Sequence, residues 1–370
     1  MQIEKKKILF LLDREVTYLP PFMAILDSLC EDYSLKVISY EKEGGKEKLK
    51  ELYSGRDVEF LSNEVHDVSA SISARIKRRT RKMLGIKAPF VADAVRLLEQ
   101  TSYDFLWVIH ENTAYDFKEW LINRKFILSI YELNDSRMKF LKEIKPLVQK
   151  ASKVIVPEFN RACILRVWLG LDNTPAVIPN KPFSHPRKKN IPNPYSAMLE
   201  GKKVILYQGY IQRKRNIDAL CEAVKDMQDY SVVLMGKGDD TYISELKSKY
   251  PNINHISFVM PPEHLYITSY AYIGVVKYDF VSLNGIFCAP NKTWEYAGFG
   301  VPMLCHNIPG LYYTVDRYGA GICTNMDSIE EIKNAIRTID KQYDKYKQNA
   351  FLFYESFDLK KELVETIKSS

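Results

Sequence analysis

The sequence predicts an α/β protein of two doubly wound, Rossmann-like domains facing a cleft, on three observations. At 370 residues the chain exceeds what one hydrophobic core ordinarily serves and suits two. Short apolar runs alternate with segments of helical spacing, the pattern of a parallel sheet flanked by helices. A stretch dense in proline and charge, PNKPFSHPRKKNIPNPY from Pro179 to Tyr195, divides the chain with the composition of a linker.

The first half opens with an apolar strand over Lys6–Leu12, a helical segment over Phe22–Leu29 and a second strand over Leu35–Tyr40. The loop between the first strand and helix, DREVTYLPP, contains no glycine. A dinucleotide reader needs G-x-G-x-x-G at that place, so a dehydrogenase is disfavoured. Phe105–Ile109 is a strand ending at His110-Glu111-Asn112, and Phe126–Tyr131 is another ending at Glu132-Leu133-Asn134-Asp135. Ligands of open α/β sheets sit beyond the carboxyl ends of strands, which makes His110 and Glu132 candidates for a catalytic base or a sugar contact. A strand-end acid paired with Arg137 explains Glu132 equally well. Lys153–Pro157 and Ala176–Pro179 complete the strands of this half.

Between these elements lies a cluster of cations: Arg75, Lys77, Arg78, Arg79, Arg81, Lys82 and Lys87. With Ile76, Met83, Leu84 and Ile86 as an apolar stripe, the segment reads as a basic amphipathic surface for an anionic membrane. A solvated basic stretch fits the same residues. The patch has no interleaved aromatics and no recognition module follows it, so nucleic acid is not an expected partner despite the net charge of +7. No apolar run approaches the length of a membrane span, and Asp13 and Arg14 cut the ILFLL run short, so it reads as a strand rather than a signal peptide. The six cysteines are scattered without C-x-x-C. That pattern points to free thiols in a reducing cytoplasm and to no zinc.

The second half begins with Lys203–Gln208, a strand running into Gly209. Arg213, Lys214 and Arg215 follow, ahead of a helix expected from about Asn216. A glycine turn, cations and a helix N-terminus together make an anion site, with a solvated basic loop as the plain alternative. Ser231–Met235 leads into Gly236-Lys237-Gly238-Asp239. Ile256–Val259 is the next expected strand, followed by Pro-Pro-Glu-His-Leu, and Tyr272–Val276 the one after. Ser328–Ile339 reads as an amphipathic helix behind Asp327 and Ser328 as caps.

The stretch around which the chain is organised is CAPNKTWEYAGFGVPML, Cys288–Leu304. It reads as a loop marked by Pro290 and Asn291, a short helix over Thr293–Ala297, a turn through Gly298 and Gly300, and a strand over Val301–Leu304. Lys292 and Glu295 stand three apart and share one helix face. The free N–H groups of a helix start, with Lys292, suit a phosphate. A carboxylate one turn further in can accept hydrogen bonds from a ribose diol. A nucleoside diphosphate is the ligand this layout favours, although an ordinary surface Lys–Glu pair has the same spacing.

This stretch resembles the donor-nucleotide motif of the family-4 retaining glycosyltransferases of the GT-B fold, in which P-N-K-x-x-E-Y-x-x-x-G-x-P recurs. Pro290, Asn291, Lys292, Glu295, Tyr296, Gly300 and Pro302 all fall in place. The segment Val177-Ile178-Pro179-Asn180 is similar to the one that closes the first domain in that family, and Gly236-Lys237-Gly238 resembles its second glycine turn.

The resemblance implies an acceptor-binding domain over residues 1–183, a nucleotide-sugar domain over 184–350 and a final helix, 351–370, crossing back to the first. It implies a donor site of Gly209, Arg213, Lys214, Arg215, Gly236, Asn291, Lys292 and Glu295, with Arg215 the best match for the cation on the diphosphate. The implied activity is transfer of a sugar from a nucleoside diphosphate sugar, UDP foremost, to a glycan or lipid-linked acceptor in surface polysaccharide or glycolipid synthesis. Retention of configuration is implied by the family alone. The chain contains no D-x-D triplet, so neither a metal nor another cofactor is expected. Localisation would be cytoplasmic, at the inner face of the plasma membrane if the basic segment meets lipid. Two positions depart from the family: Phe287 stands where many members carry an earlier glutamate, and Glu132 where a histidine is common. A sugar-nucleotide epimerase and a non-catalytic partner subunit therefore stand as rival readings.

Overall fold

The structure is a computed structural model that describes residues 4–62, 89–278 and 280–370. The basic segment carrying Arg75, Lys77, Arg78, Arg79, Arg81 and Lys82 lies outside the described residues. The chain forms two units, one taking in the chain up to Pro179 together with Leu359–Ser370, the other Asn180–Asp358.

The first unit is built on a seven-stranded parallel sheet in the order β3-β2-β1-β4-β5-β6-β7. Its strands are β1 Lys7–Leu11, β2 Ser34–Ile38, β3 Val58–Phe60, β4 Phe105–Ile109, β5 Ile127–Ser129, β6 Lys153–Val156 and β7 Ala176–Val177. The second unit has a six-stranded parallel sheet, β10-β9-β8-β11-β12-β13. These strands are β8 Lys203–Gln208, β9 Tyr230–Met235, β10 Ile253–Ile256, β11 Ala271–Val276, β12 Met303–His306 and β13 Gly321–Thr324.

A parallel sheet covered by helices on both faces needs strands that are apolar throughout, which is why these runs do not alternate. In β8, Val204 and Leu206 enter one core with Phe299 and Met303, while Ile205 and Tyr207 enter the opposite core with Ile332 and Ile336. Each sheet winds outward from its first strand and then reverses, between β1 and β4 in one unit and between β8 and β11 in the other. Crevices for ligands form at the carboxyl ends of strands where the order reverses.

Four elements differ from the sequence expectation. The strand expected over Ile256–Val259 lies earlier, at Ile253–Ile256, where Ile253 and Ile256 are buried against β9 and Phe258 is left exposed. The strand expected at Val301 starts at Met303, because Gly300 turns with φ 63° and Pro302 has no N–H for the ladder. The helix expected near Asn216 begins at Asp218; Arg213–Arg215 instead form a short 3-10 turn closed by Asn216 at φ 43°. The C-terminal stretch is two helices, Tyr343–Glu355 and Leu359–Lys368, and only the part from Leu359 belongs to the first unit. Ser328 caps the helix Ile329–Lys341 through a 3.3 Å bond from Glu331 N–H.

Candidate functional site

The carboxyl ends of β8 and β9 carry two glycines in conformations that side chains avoid, Gly209 at φ 140° and Gly236 at φ 145°. A Cβ on Gly236 would lie 2.0 Å from Gly209 O, and a Cβ on Gly209 would lie 3.0 Å from Lys292 Nζ. Glycine at both positions lets the two backbones and an ammonium group crowd together. Lys292 Nζ donates to Gln208 O at 2.5 Å and sits 5.3 Å from the Tyr207 ring centre and 5.8 Å from that of Tyr278. The Arg215 guanidinium lies 4.6 Å from the same Tyr278 ring and donates to Lys277 O at 3.1 Å. The two cations thus converge beside Gly209. Burial, reinforced by the neighbouring Arg215 charge, pulls Lys292 down to about 8. Two cations held this close are an arrangement an arriving anion relieves.

Lys292 and Glu295 belong to the helix Asn291–Gly298, which starts behind Pro290. Its back is held by the linker: His185 Nε2 donates to Glu295 O at 2.9 Å, and a Cβ on Gly298 would meet that ring at 2.5 Å. Burial brings His185 down to about 4, so the ring is neutral, its Nδ1 accepting from Arg187 N–H at 3.1 Å. Asn180 Nδ2 donates to Ala289 O at 2.7 Å and fixes the loop ahead of the helix.

The Glu295 carboxylate is buried in a chain of polar groups. Its Oε1 lies 3.1 Å from His264 Nε2, and its Oε2 accepts from Gln208 Nε2. Thr268 Oγ donates to Gln208 Oε1 at 3.0 Å and so sets which way that amide faces. Burial alone would raise the Glu295 pKa, but the His264 and Lys292 charges outweigh it and hold the carboxyl below its usual range. Each oxygen keeps a second lone pair, so an ionised Glu295 can accept two further hydrogen bonds.

The other sequence-predicted residues fall in different places. Arg213 is exposed, bound to Glu245 and lying over the Tyr242 ring, which turns it away from Lys292. Lys214 is exposed. The N-terminus of the helix Asp218–Val224 is no anion site, because Tyr242 OH accepts from Ile217 N–H at 3.1 Å and donates to Asp218. The cation of this loop that stands beside Lys292, over the same Tyr278 ring, is Arg215. Asn291 is the first residue of its helix and is partly exposed.

In the first unit, His110 ends β4 with φ 80° and ψ 140°, and its Nδ1 accepts from Asn112 N–H at 3.2 Å. Burial lowers its pKa, with Glu111 opposing. A neutral ring whose Nδ1 accepts carries its proton on Nε2, so His110 is set up as a hydrogen-bond donor rather than a base. Glu132 is half exposed and lies 3.8 Å from Arg161, while Arg137 turns to Asn112 and Asn134 at 3.1 and 3.0 Å. The pairing with Arg137 is therefore replaced by one with Arg161. Glu111, passed over in the sequence, is the buried acid here, accepting from Tyr131 N–H at 3.1 Å and Asn134 Nδ2 at 2.9 Å.

No protein-family model matches the sequence, and no curated protein matches it. Solved structures do. HepE of Anabaena, in complex with UDP and glucose, matches with a TM-score of 0.72 at 15% identity, over 99% of this chain and 100% of that one. The sucrose-phosphate synthase of Thermosynechococcus elongatus gives 0.68 at 12% identity, over 98% of each chain. WaaG, a glycosyltransferase involved in lipopolysaccharide biosynthesis, gives 0.61 at 12% identity, over 97% of this chain and 98% of that one. The chain has the GT-B fold.

Gln208, His264, Thr268 and His185 join the network around Glu295 without being singled out by motif or spacing. Gln208 carried a signal, being the one polar side chain that ends an apolar strand just before a glycine. His264 carried none beyond its place after Pro261-Pro262-Glu263. Among the described residues no cluster of three or more His, Cys, Asp or Glu side chains is arranged to hold a metal ion.

Proposed function

We propose that the protein is a glycosyltransferase that moves a sugar from a UDP-sugar to a glycan or lipid-linked acceptor. The observation that carries this reading is the convergence of Arg215 and Lys292 beside Gly209, with the ionised Glu295 one helical turn away. Two cations and a carboxylate at that spacing fit a diphosphate joined to a ribose. As the sugar departs, negative charge gathers on the diphosphate, and the two cations stabilise it. They supply the neutralisation a divalent ion would give, so the proposed transfer is metal-independent. Retention of configuration is proposed on the motif's likeness to retaining enzymes. A role in polysaccharide or glycolipid synthesis, at a membrane surface met by the basic segment, rests on the sequence of that segment and on the same likeness.

The HepE structures support UDP as the nucleotide, since one holds UDP and glucose and another, at TM-score 0.70 and 17% identity, holds UDP-glucose. His110, as a donor from Nε2, and Glu132, as the accessible acid at the end of β5, are the proposed contacts of acceptor or sugar in the first unit. Phe287 in place of a glutamate favours a second reading, a partner subunit that binds donor without turning it over.

Calorimetric titration with UDP, GDP, ADP and TDP tests the nucleotide site; binding of UDP in the micromolar range, at least tenfold tighter than the others, is expected. Slow release of free sugar from UDP-glucose by the same protein separates the enzyme from the partner subunit. Failure of all four nucleotides to bind at millimolar concentration would end the proposal.

A further inference from the structure

We infer that His264 is the positioning residue of the nucleotide site, holding Glu295 in the one ionised rotamer that reads the ribose 2′-hydroxyl. The inference rests on the nucleotide reading above and goes beyond it in assigning the selection of ribose over deoxyribose to a residue that touches no part of the ligand.

The Glu295 side chain is 8% exposed, that of His264 14%. A buried carboxylate with three rotatable bonds has no reason to hold one orientation unless both oxygens are fixed. Here they are fixed from different elements: Oε1 by His264, at the start of the helix His264–Thr268, and Oε2 by Gln208, the last residue of β8. Gln208 is itself oriented by Thr268, from the same helix as His264. The Thr268 hydroxyl lies 3.0 Å from His264 O as well, so the helix clamps the carboxylate through both arms.

The two arms are not equivalent. Gln208 is anchored twice more, its backbone in the sheet with β9 and its carbonyl bonded to Lys292 Nζ. Removing Thr268 or Gln208 would therefore disturb the cation as well as the carboxylate. The His264 side chain, by contrast, bonds to Glu295, and none of the hydrogen bonds among the described residues ties it to a strand or to Lys292. Through Nε2, 3.1 Å from one carboxylate oxygen, His264 acts on the site by way of that carboxylate. The free lone pair of Oε1 then points where the His264 bond leaves it, and a ribose hydroxyl meets a preset acceptor instead of a mobile one.

The test compares UDP with 2′-deoxy-UDP, which differ by the single hydroxyl in question. Dissociation constants are measured by calorimetry for the wild type, Glu295→Gln, His264→Ala and His264→Gln, with each variant first shown by thermal unfolding to be folded. The wild type is expected to prefer UDP about tenfold, the scale of one hydrogen bond to a charged acceptor. Glu295→Gln and His264→Ala should both bring the ratio to within about twofold of one, and in His264→Ala, where Gln208 still holds Oε2, affinity for 2′-deoxy-UDP stays near the wild-type value. His264→Gln, which offers an N–H at a similar reach, should recover most of the preference. A wild-type preference retained in His264→Ala would overturn the inference and leave the nucleotide site standing. Absence of UDP binding to the wild type would overturn both. Equal loss of affinity for the two nucleotides in His264→Ala would make the histidine a prop of the fold and also overturn the inference.

Discussion

The two sheets reverse their strand order in the same way, yet the backbone and the arrangement of charged groups differ at the two reversal points. At the β8–β11 point the backbone is opened by Gly209 and Gly236, and Lys292 and Arg215 stand there with the carboxylate of Glu295 bonded to Gln208, while Lys277 is taken up by Asp327. At the β1–β4 point no glycine opens the turn, and the acids Asp13, Glu111 and Glu132 stand among Arg14, Arg137 and Arg161. Topology offers a place for a ligand in both units. The glycine-opened turns beside a close pair of cations are the features on which the diphosphate site proposed for the second unit rests. The comparison breaks if the glycines prove dispensable, if the cations do not bind anions, or if His110 is an ordinary loop residue.

The largest effect is expected at the glycines. Gly236→Ala places a methyl 2.0 Å from a carbonyl oxygen in a backbone region closed to alanine, and should cost about 3 kcal/mol or more. Gly170→Ala in the first unit is the control. That residue also has positive φ, 59°, but only the tips of Gln149 and Lys145 lie near, at 3.4 Å. It ends a helix, where replacement of a left-handed glycine costs about 1 kcal/mol. Urea midpoints read both, and equal costs would deny the β8–β9 approach any special role.

Next come the cations. Lys292→Ala and Arg215→Ala should each weaken UDP binding by about 1.5–3 kcal/mol, the scale of charge-assisted hydrogen bonds. Arg213→Ala, exposed and committed to Glu245, should change it less than about twofold. A titration in which Arg213 mattered as much as Arg215 would mean that the 3-10 turn rearranges on binding.

These residues also show what a sequence can display. Lys292 and Glu295 were legible because helical spacing is local: three residues apart means one face, whatever the rest of the chain does. Arg215 could not be told from Arg213 or Lys214 by spacing, since the difference is made by Tyr278 and Glu245, which arrive from distant elements. Gln208 is 87 residues from its partner Glu295 and 60 from Thr268, separations at which no periodicity speaks. The two doubly wound sheets were readable from apolar runs, but β10 was displaced because Phe258 and Val259 are strand-prone residues left outside the ladder. His110 drew notice as a strand-end histidine, while its role as a helix cap was hidden, caps being Ser, Thr, Asp or Asn in most helices.

The pH dependence of binding sharpens the picture of the cation pair. Lys292 stands at about 8 in the free protein, lowered by burial and then by Arg215. A bound diphosphate favours the charged ammonium and raises that value, so above pH 8 binding must take up a proton. UDP affinity should therefore be flat below pH 8 and fall by up to about tenfold per pH unit above it, until the pKa of the complex is reached. In Arg215→Ala the break should move upward, because one of the two causes of the lowering is gone. An affinity flat to pH 10 would show that Lys292 is not in contact with the diphosphate.

The smallest effect expected is at His110, and it bears on whether the first unit is built for chemistry at all. The residue holds φ 80° and ψ 140°, a region that only glycine enters without strain. It also caps the helix Glu111–Asp116 through Nδ1. Alanine and glycine both remove the cap, so the difference between the two variants isolates the backbone. His110→Gly should be more stable than His110→Ala by about 1–2 kcal/mol, even though glycine loses about 0.5–1 kcal/mol more chain entropy on folding. Chemical denaturation of the two variants reads the difference directly. Strain of that size, retained at a buried histidine with a proton on Nε2, is what a site that must present that N–H would keep and a mere loop would shed. Equal stabilities would remove His110 from the site and leave the half-exposed Glu132 as the remaining sequence-predicted residue of the first unit.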